Sequence, residues 1–392
     1  MKITKLCVFT ALLVLATASL GAFDYGLELS NTGGVNYLTK ATYYTDHKGT
    51  LWLTIPFDSS NSNSLSIEGS AYAAKPSSTD TFAVFADLDL FRLSLVPYKS
   101  AKTKISVDAG RIPASDVTGF ILNQSVDGAE FHGAFPFGNI DFLAGYTGLL
   151  NVRKGGALMT PSDSADAKTT DIYVFGSKHV IGKFTIQLPQ LIGTTDLIVE
   201  AVGQYDLRAK TDSTETVHTV YGTVSASGPV TNILYYSLDG TFQAGVLDSD
   251  KTYSETSAIA SIRFDLFPAP GNQLFAQFIY SPGNDSLFTG FLPITFQGAG
   301  TLYTAGYANL MRASAGYYFN PLPMLNFDIA GKVFMHPKKT DTGIGLYDCT
   351  EVTAGITVKA TSDLRFRFDS ALQIPNSGDN QYQASLKAIL DI

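Results

Sequence analysis

In several stretches of this 392-residue chain charged residues stand at every second position, and any chemistry it performs has to be built on that spacing. Arg263 and Asp265 alternate with Ile262, Phe264 and Leu266, and Arg365, Arg367 and Asp369 with Leu364, Phe366 and Phe368. Asn326, Asp328 and Lys332 alternate with Leu325, Phe327 and Ile329; Glu351, Thr353, Thr357 and Lys359 alternate with Val352, Ala354, Ile356 and Val358. Lys104, Ser106, Asp108 and Gly110 alternate with Ile105, Val107 and Ala109, and Arg111 joins the charged set. On a strand such rows point to opposite faces. If one face meets hydrocarbon, the charges must face an enclosed aqueous space, because each costs several kcal/mol in lipid. Opposed basic and acidic groups there set a transverse field that sorts solutes by charge. The plainer reading is that they pair across neighbouring strands as wall ion pairs.

Bond-making chemistry is poorly supplied. Five histidines (His47, His132, His179, His218, His336) have no spacing that brings two to one metal. There is no Gly-Xaa-Ser-Xaa-Gly elbow and no phosphate-binding glycine loop. No catalytic residue, metal or cofactor is expected.

The elements behind these rows are strands. The clearest is Tyr382–Ile392, with Tyr382, Ala384, Leu386, Ala388, Leu390 and Ile392 on one face. Gln383, Ser385, Lys387, Ile389 and Asp391 lie on the other. A soluble sandwich would give the same alternation, with core on one side and water on the other. Similar segments recur about every 20 residues and no helical period is sustained after the N-terminal segment. Asp24–Asn31 and Val35–Thr45 compete for the first strand, with Gly33-Gly34 between them. A slip of phase at Leu90-Phe91 predicts a β-bulge. Phe137-Gly138-Asn139 reads as a hairpin turn.

Connections of two kinds alternate. Gly228-Pro229, 268–272, 320–324 and 361–363 are short; 113–127, 148–170, 208–216, 281–307 and 337–347 are longer. Short turns on one side, long loops on the other and aromatics beside them are the pattern of membrane barrels. Residues 281–300 hold Leu287, Phe288, Phe291, Leu292, Ile294 and Phe296, too apolar to stand free in water. They either fold in to narrow or cap the interior, with Leu287, Phe288, Phe291 and Phe296 at the constriction, or form two further short strands.

Lys2 and Lys5, the apolar run to Leu20 and small residues at Ser19, Gly21 and Ala22 read as a secretory signal peptide over 1–22. Its removal takes the basic count from 27 to 25 against 35 acids, a balance of −10 that disfavours a nucleic-acid partner. Only Cys349 remains, so no internal disulfide forms. Charged residues are only 16% of the chain, against about 25% in average domains, and no later apolar run is long enough for a spanning helix. A membrane protein of this kind must cross as strands.

Together these features resemble the bacterial outer-membrane porin-type barrels. Segments such as Ala109-Gly110-Arg111 and Asp127-Gly128-Ala129 are similar in style to spirochaete barrels. Such barrels commonly end in an aromatic residue, whereas this chain ends in Ile392. The resemblance and the pattern lead to an all-β fold, a closed antiparallel up-and-down transmembrane barrel of 16 to 18 strands over residues 23–392. Short turns and both termini would be periplasmic and the longer loops extracellular. The expected function is passive diffusion of small hydrophilic solutes past Lys104, Asp108, Arg111, Arg263, Asp265, Asp328, Lys332, Glu351, Lys359, Arg365, Arg367 and Asp369. Rival readings are a transporter for apolar, fatty-acid-type solutes and an adhesion barrel whose loops, 148–170 above all, bind host molecules. Expected partners are outer-membrane lipid, the barrel-assembly machinery and periplasmic chaperones; oligomeric state stays open.

Overall fold

The structure is a computed structural model and describes residues 23–38, 40–60, 62–76, 83–147, 157–166, 178–208, 215–248, 252–283, 290–338 and 346–392. The segment 1–22 lies outside them.

Eighteen strands follow one another: β1 (Asp24–Tyr37), β2 (Ala41–Pro56), β3 (Ser64–Pro76), β4 (Ala83–Lys99), β5 (Lys104–Ser115), β6 (Asn123–Phe135), β7 (Gly138–Tyr146), β8 (His179–Ile192), β9 (Thr195–Asp206), β10 (Thr216–Pro229), β11 (Leu234–Asp248), β12 (Thr252–Leu266), β13 (Asn272–Ser281), β14 (Leu310–Leu322), β15 (Leu325–Met335), β16 (Tyr347–Lys359), β17 (Leu364–Pro375) and β18 (Gln381–Asp391). Each pairs antiparallel with the next, and β1 pairs with β18, so the sheet closes on itself without an edge. At the closure Leu27 N–H donates to Ile392 O at 2.9 Å and Ile392 N–H to Leu27 O at 2.8 Å. Only closure satisfies every backbone group of a sheet in hydrocarbon.

Both candidates for the first strand belong to the wall. Gly33 and Gly34 sit inside β1, and the chain turns at 38–40. The bulge is one residue earlier than the phase slip suggested: Glu68 faces Leu90 and Gly69 faces Leu88, leaving Asp89 as the extra residue.

One rim carries the two strand ends nearest the termini and the turns 57–63, 100–103, 136–137, 193–194, 230–233, 267–271, 323–324 and 360–363; we call it the turn rim. The other, the loop rim, carries 116–122, 147–178, 207–215, 282–309 and 336–346. It also holds the shorter connections 38–40, 77–82, 249–251 and 376–380, so the sorting by length is incomplete there. The expected loop 113–127 is shorter than its sequence suggested, because β5 and β6 extend into it.

Register sorts the faces. Phe366, Phe368 and Leu372 lie level with Val358, Ile356 and Val352 of β16 and with Ala388, Leu386 and Tyr382 of β18. These large apolar side chains are exposed on the outside. Arg365, Arg367 and Asp369 face the interior. The buried apolar residues form one cluster inside the loop-side half: Ile112, Ile121, Leu122, Val126, Leu143, Ile181, Val202, Tyr221, Ile294 and Phe334 among them. Its members come from the wall and from segments that fold inward.

Candidate functional site: a constricted interior

Two loop-rim segments approach from nearly opposite walls. Residues 116–122 close on themselves: Asp116 N–H donates to Leu122 O at 3.0 Å, and the Asp116 carboxylate accepts from the N–H groups of Thr118, Ile121 and Leu122 at 2.8–3.0 Å. Residues 290–309 leave the wall between β13 and β14 and reach β6, eight strands round the ring. There Thr295 N–H donates to Ile121 O at 3.0 Å, Asn123 N–H to the Thr295 hydroxyl at 3.0 Å, and that hydroxyl to Gln124 Oε1 at 2.9 Å. Residues 290–309 contain no strand, so the alternative strand Ile294–Ala299 does not form, while Phe288–Leu292 lies partly outside the described residues.

Wall side chains hold the crossing segment along its length. Tyr221 O–H donates to Leu292 O at 2.6 Å, and Gln243 Oε1 accepts from Leu292 N–H at 2.9 Å. Arg312 donates to Ala299 O at 2.6 Å. The Glu351 carboxylate accepts from three successive N–H groups, Thr301, Leu302 and Tyr303, at 2.7–3.1 Å, and from Lys332 Nζ at 2.8 Å. Successive N–H groups converging on one anion form a concavity suited to negative charge. Tyr303 stacks on Phe334 with ring centres 4.1 Å apart. Phe291 is buried edge-on to Tyr221, whereas Phe296 stays half-exposed. Leu287 and Phe288 lie outside the described residues.

A third inward segment carries the short helix α1 (Pro161–Asp166). Asp163 is fully buried against Arg208 and His179, with His179 Nε2 at 2.9 Å. The Gln204 amide N–H donates to Val217 O at 3.0 Å, and the same nitrogen meets His179 Nδ1. Burial pushes the Asp163 carboxyl up. The hydrogen bonds and charges of His179 and then of Arg208 outweigh it and hold it at about 2.

Toward the turn rim the interior is lined by charge. Arg263 is held by Asp265 at 2.7 Å and lies over the Phe275 ring at 4.5 Å. Arg365 reaches Asp391 at 2.9 Å and Glu28 at 3.2 Å. Arg367 bridges Asp369 at 2.7 Å and Asp328 at 3.2 Å, over Gly355, where a Cβ would stand 2.6 Å from both Arg367 and Asp328. Lys104 and Lys359 are exposed at the turn rim and form no ion pair among the described residues. Asp108 lies 3.7 Å from His132, whose ring also meets Glu130 at 3.6 Å and Asp141 at 2.8 Å. Most of the sequence-derived charges are therefore wall ion pairs that also face the interior.

Two of them depart from expectation. Arg111 is level with Phe91 and Asp127 and shares the outward face of Ala109. It is nevertheless buried, 3.7 Å from Asp127. The cause is the β4–β5 junction. Pairing ends at Phe91–Arg111, Gly110 has φ +118°, and Pro113 has no N–H to continue the ladder. The upper β5–β6 hairpin turns inward there, and Ser125 of β6 donates to Asp89 O of β4 at 3.4 Å, across β5. Glu351 faces inward as expected but has no exposed surface, because it anchors the crossing segment and Lys332 instead of lining the passage.

No protein-family profile matches the sequence, and no curated protein sequence matches it. Solved structures do. OccK5 (OpdH) of Pseudomonas aeruginosa superposes with a TM-score of 0.64 at 12% identity, covering 95% of this chain and 98% of that one. The outer membrane protein OpdK of the same organism gives 0.63 at 10%, covering 95% and 99%. OccAB4 of Acinetobacter baumannii gives 0.59 at 11%, with 95% and 99% covered. The likeness establishes the fold. It is the closed 18-stranded antiparallel barrel, shared along nearly the full length of both chains.

The anchors Asp116, Gln124, Tyr221, Thr295 and Arg312 escaped the sequence reading. Gln124, Tyr221, Thr295 and Arg312 find partners 13 or more residues away, which no local pattern signals. Only Asp116, two before Thr118, has a local turn signature.

Proposed function

We propose that the protein is an outer-membrane channel for passive diffusion of small hydrophilic solutes. The observation that carries this is a closed barrel, apolar outside, whose inner face toward the turn rim presents partly exposed, carboxylate-held guanidinium groups at Arg263, Arg365 and Arg367. Such groups need water, and 18 strands enclose enough room for it. The inward segments would set the width, and unpaired charges the selectivity. The fold likeness to outer-membrane porins supports the compartment, with the turn rim and both termini periplasmic in this reading. The spirochaete-like character rests on the style of 109–111 and 127–129. Its partners would be outer-membrane lipid, the assembly machinery and periplasmic chaperones during insertion, and the solutes themselves, with no nucleic acid and no catalysis.

The apolar-solute reading draws on the cluster around Ile121, Leu122 and Ile294. Those side chains have no exposed surface, so their apolar area is spent on one another rather than on a guest. The adhesion reading turns on 148–170, of which only 157–166 are described. Conductance of the refolded protein in planar bilayers tests the proposal. Stable ohmic steps are expected; a silent, correctly folded protein overturns it.

A further inference from the structure

The turns of one rim differ by side. From β6 to β15 they carry large exposed apolar side chains, among them Phe137, Ile192, Val230, Phe267, Leu322 and Met324, Ile192 to 75% and Val230 to 56%, although Gln190, Thr194, Thr231, Asn232 and Asn320 stand beside them. From β16 round to β5 the tips are polar: 360–363 reads Ala-Thr-Ser-Asp, 58–63 Asp-Ser-Ser-Asn-Ser-Asn and 100–103 Ser-Ala-Lys-Thr, although Phe57 and Ile392 border them.

The outer faces of the strands are offset in the same sense. On β12 the outward row from loop rim to turn rim is Ser254, Thr256, Ala258, Ala260, Ile262, Phe264, Leu266, and Phe267 continues it into the turn. It begins polar and ends apolar. On β4, eight strands away and nearly opposite, the row is Val84, Ala86, Leu88, Phe91, Leu93, Leu95 and Tyr98, followed by the polar turn. Here the apolar run reaches the loop rim, where Val84 is 72% exposed. β10 follows β12, starting from His218 and ending at Val230; on β6 the loop-end positions are Asn123, Ser125 and Asp127. β17 follows β4, with Leu372 and Ile374 near the loop rim. Asn31 and His47 on β1 and β2 interrupt the high side, and the exposed Val180, Tyr205 and Tyr280 at the loop ends of β8, β9 and β13 interrupt the low side, without reversing the offset.

A lipid slab has a fixed thickness, and an outward apolar band of about 25 Å marks where it meets a barrel. An oblique band requires an oblique barrel. We propose that this barrel sits tilted in the bilayer, with the β6–β15 turn tips immersed in the leaflet on the turn side. The occupant of that arc is lipid, because its exposed apolar tips lie at the ends of the lipid-facing rows, with only Gln190, Thr194, Thr231, Asn232 and Asn320 between them. The inference rests on the membrane-barrel reading.

Trp52 is the chain's single tryptophan and faces the interior over Gly26, so Trp52→Phe gives a silent background. In it, Ile192→Trp, Val230→Trp and Met324→Trp are compared with Lys102→Trp and Ser362→Trp, each reconstituted in phosphatidylcholine vesicles containing brominated lipid. Leu386→Trp, in the middle of the outward face of β18, reports insertion itself. The three apolar-arc reporters should emit at shorter wavelength and lose at least twofold more emission to the bromines than the polar-arc pair. Equal quenching on both arcs, or ready quenching of the apolar arc by aqueous acrylamide, overturns the tilt. So does shielding from both quenchers, which would mean that protein covers the arc. If Leu386→Trp also fails to sense lipid, the membrane reading has failed and not the tilt alone.

Discussion

Glu351 shows how a residue can be read correctly by face and wrongly by role. Its position in an alternating row placed it inward, and inward it is. That row carries no trace of the three N–H groups about 50 residues away that enclose it. Glu351→Gln keeps the shape but removes charge-assisted bonds worth about 1.5–3 kcal/mol each. It also leaves Lys332 without its carboxylate. The 301–303 tip should detach, giving larger and noisier single-channel steps; unchanged steps would show that the anchor does not set the width. Asp163 makes a prediction about pH. Its carboxyl is held at about 2, below its ordinary value of 3.8. A depressed carboxyl contributes stability that is fully present above the unfolded value and lost as pH falls through the folded one. Protease cleavage within 148–177 should therefore be flat from neutrality to about pH 4 and rise between about 4 and 2. Asp163→Asn should make the loop sensitive at neutral pH.

The β4–β5 junction is where strand-level reasoning met its limit. Strict alternation along 104–112 was visible, and it places Ile105, Val107 and Ala109 outward. The same parity assigned Arg111 outward, but its charge argued for the interior. Neither rule reveals that the hairpin turns under β4; Pro113 and a glycine with φ +118° were the local signs. Removing one partner of a buried ion pair costs about 3–5 kcal/mol, whereas replacing both by apolar residues is often neutral. Arg111→Met alone should lower the urea midpoint of the refolded barrel, and Arg111→Met with Asp127→Leu should recover most of the loss. Equal midpoints for wild type and the single variant would mean that the pair bears no strain of folding. Elsewhere strands were legible because each repeats a two-residue rule. The crossing segment 290–309 was legible only as too apolar for water, since its hydrogen bonds go to strands on the far wall.

For the whole molecule, strand number and closure followed from periodicity and connection lengths, while the distribution of interior charge did not. On β5–β11 the inward carboxylates Asp108, Glu130, Asp141, Glu200 and Asp239 outnumber the inward Lys104 and Lys183. Asp239 is held by Ser225, Ser237 and Ser261 at 2.7–3.2 Å and by no cation among the described residues. On β14–β18 carboxylates and bases largely cancel. The interior should thus favour cations. A reversal potential under a potassium chloride gradient should show that sign, Asp239→Asn should weaken it, and raising salt should flatten it as the Debye length contracts. Closure of β1 on β18 has a further bearing, on biogenesis. The clasp at Leu27 and Ile392 joins the two strands that are made first and last, so no partial product of the ribosome can seal. Seventeen finished strands are still an open ribbon with two unpaired borders. Insertion should accordingly be one late commitment and not a strand-by-strand entry.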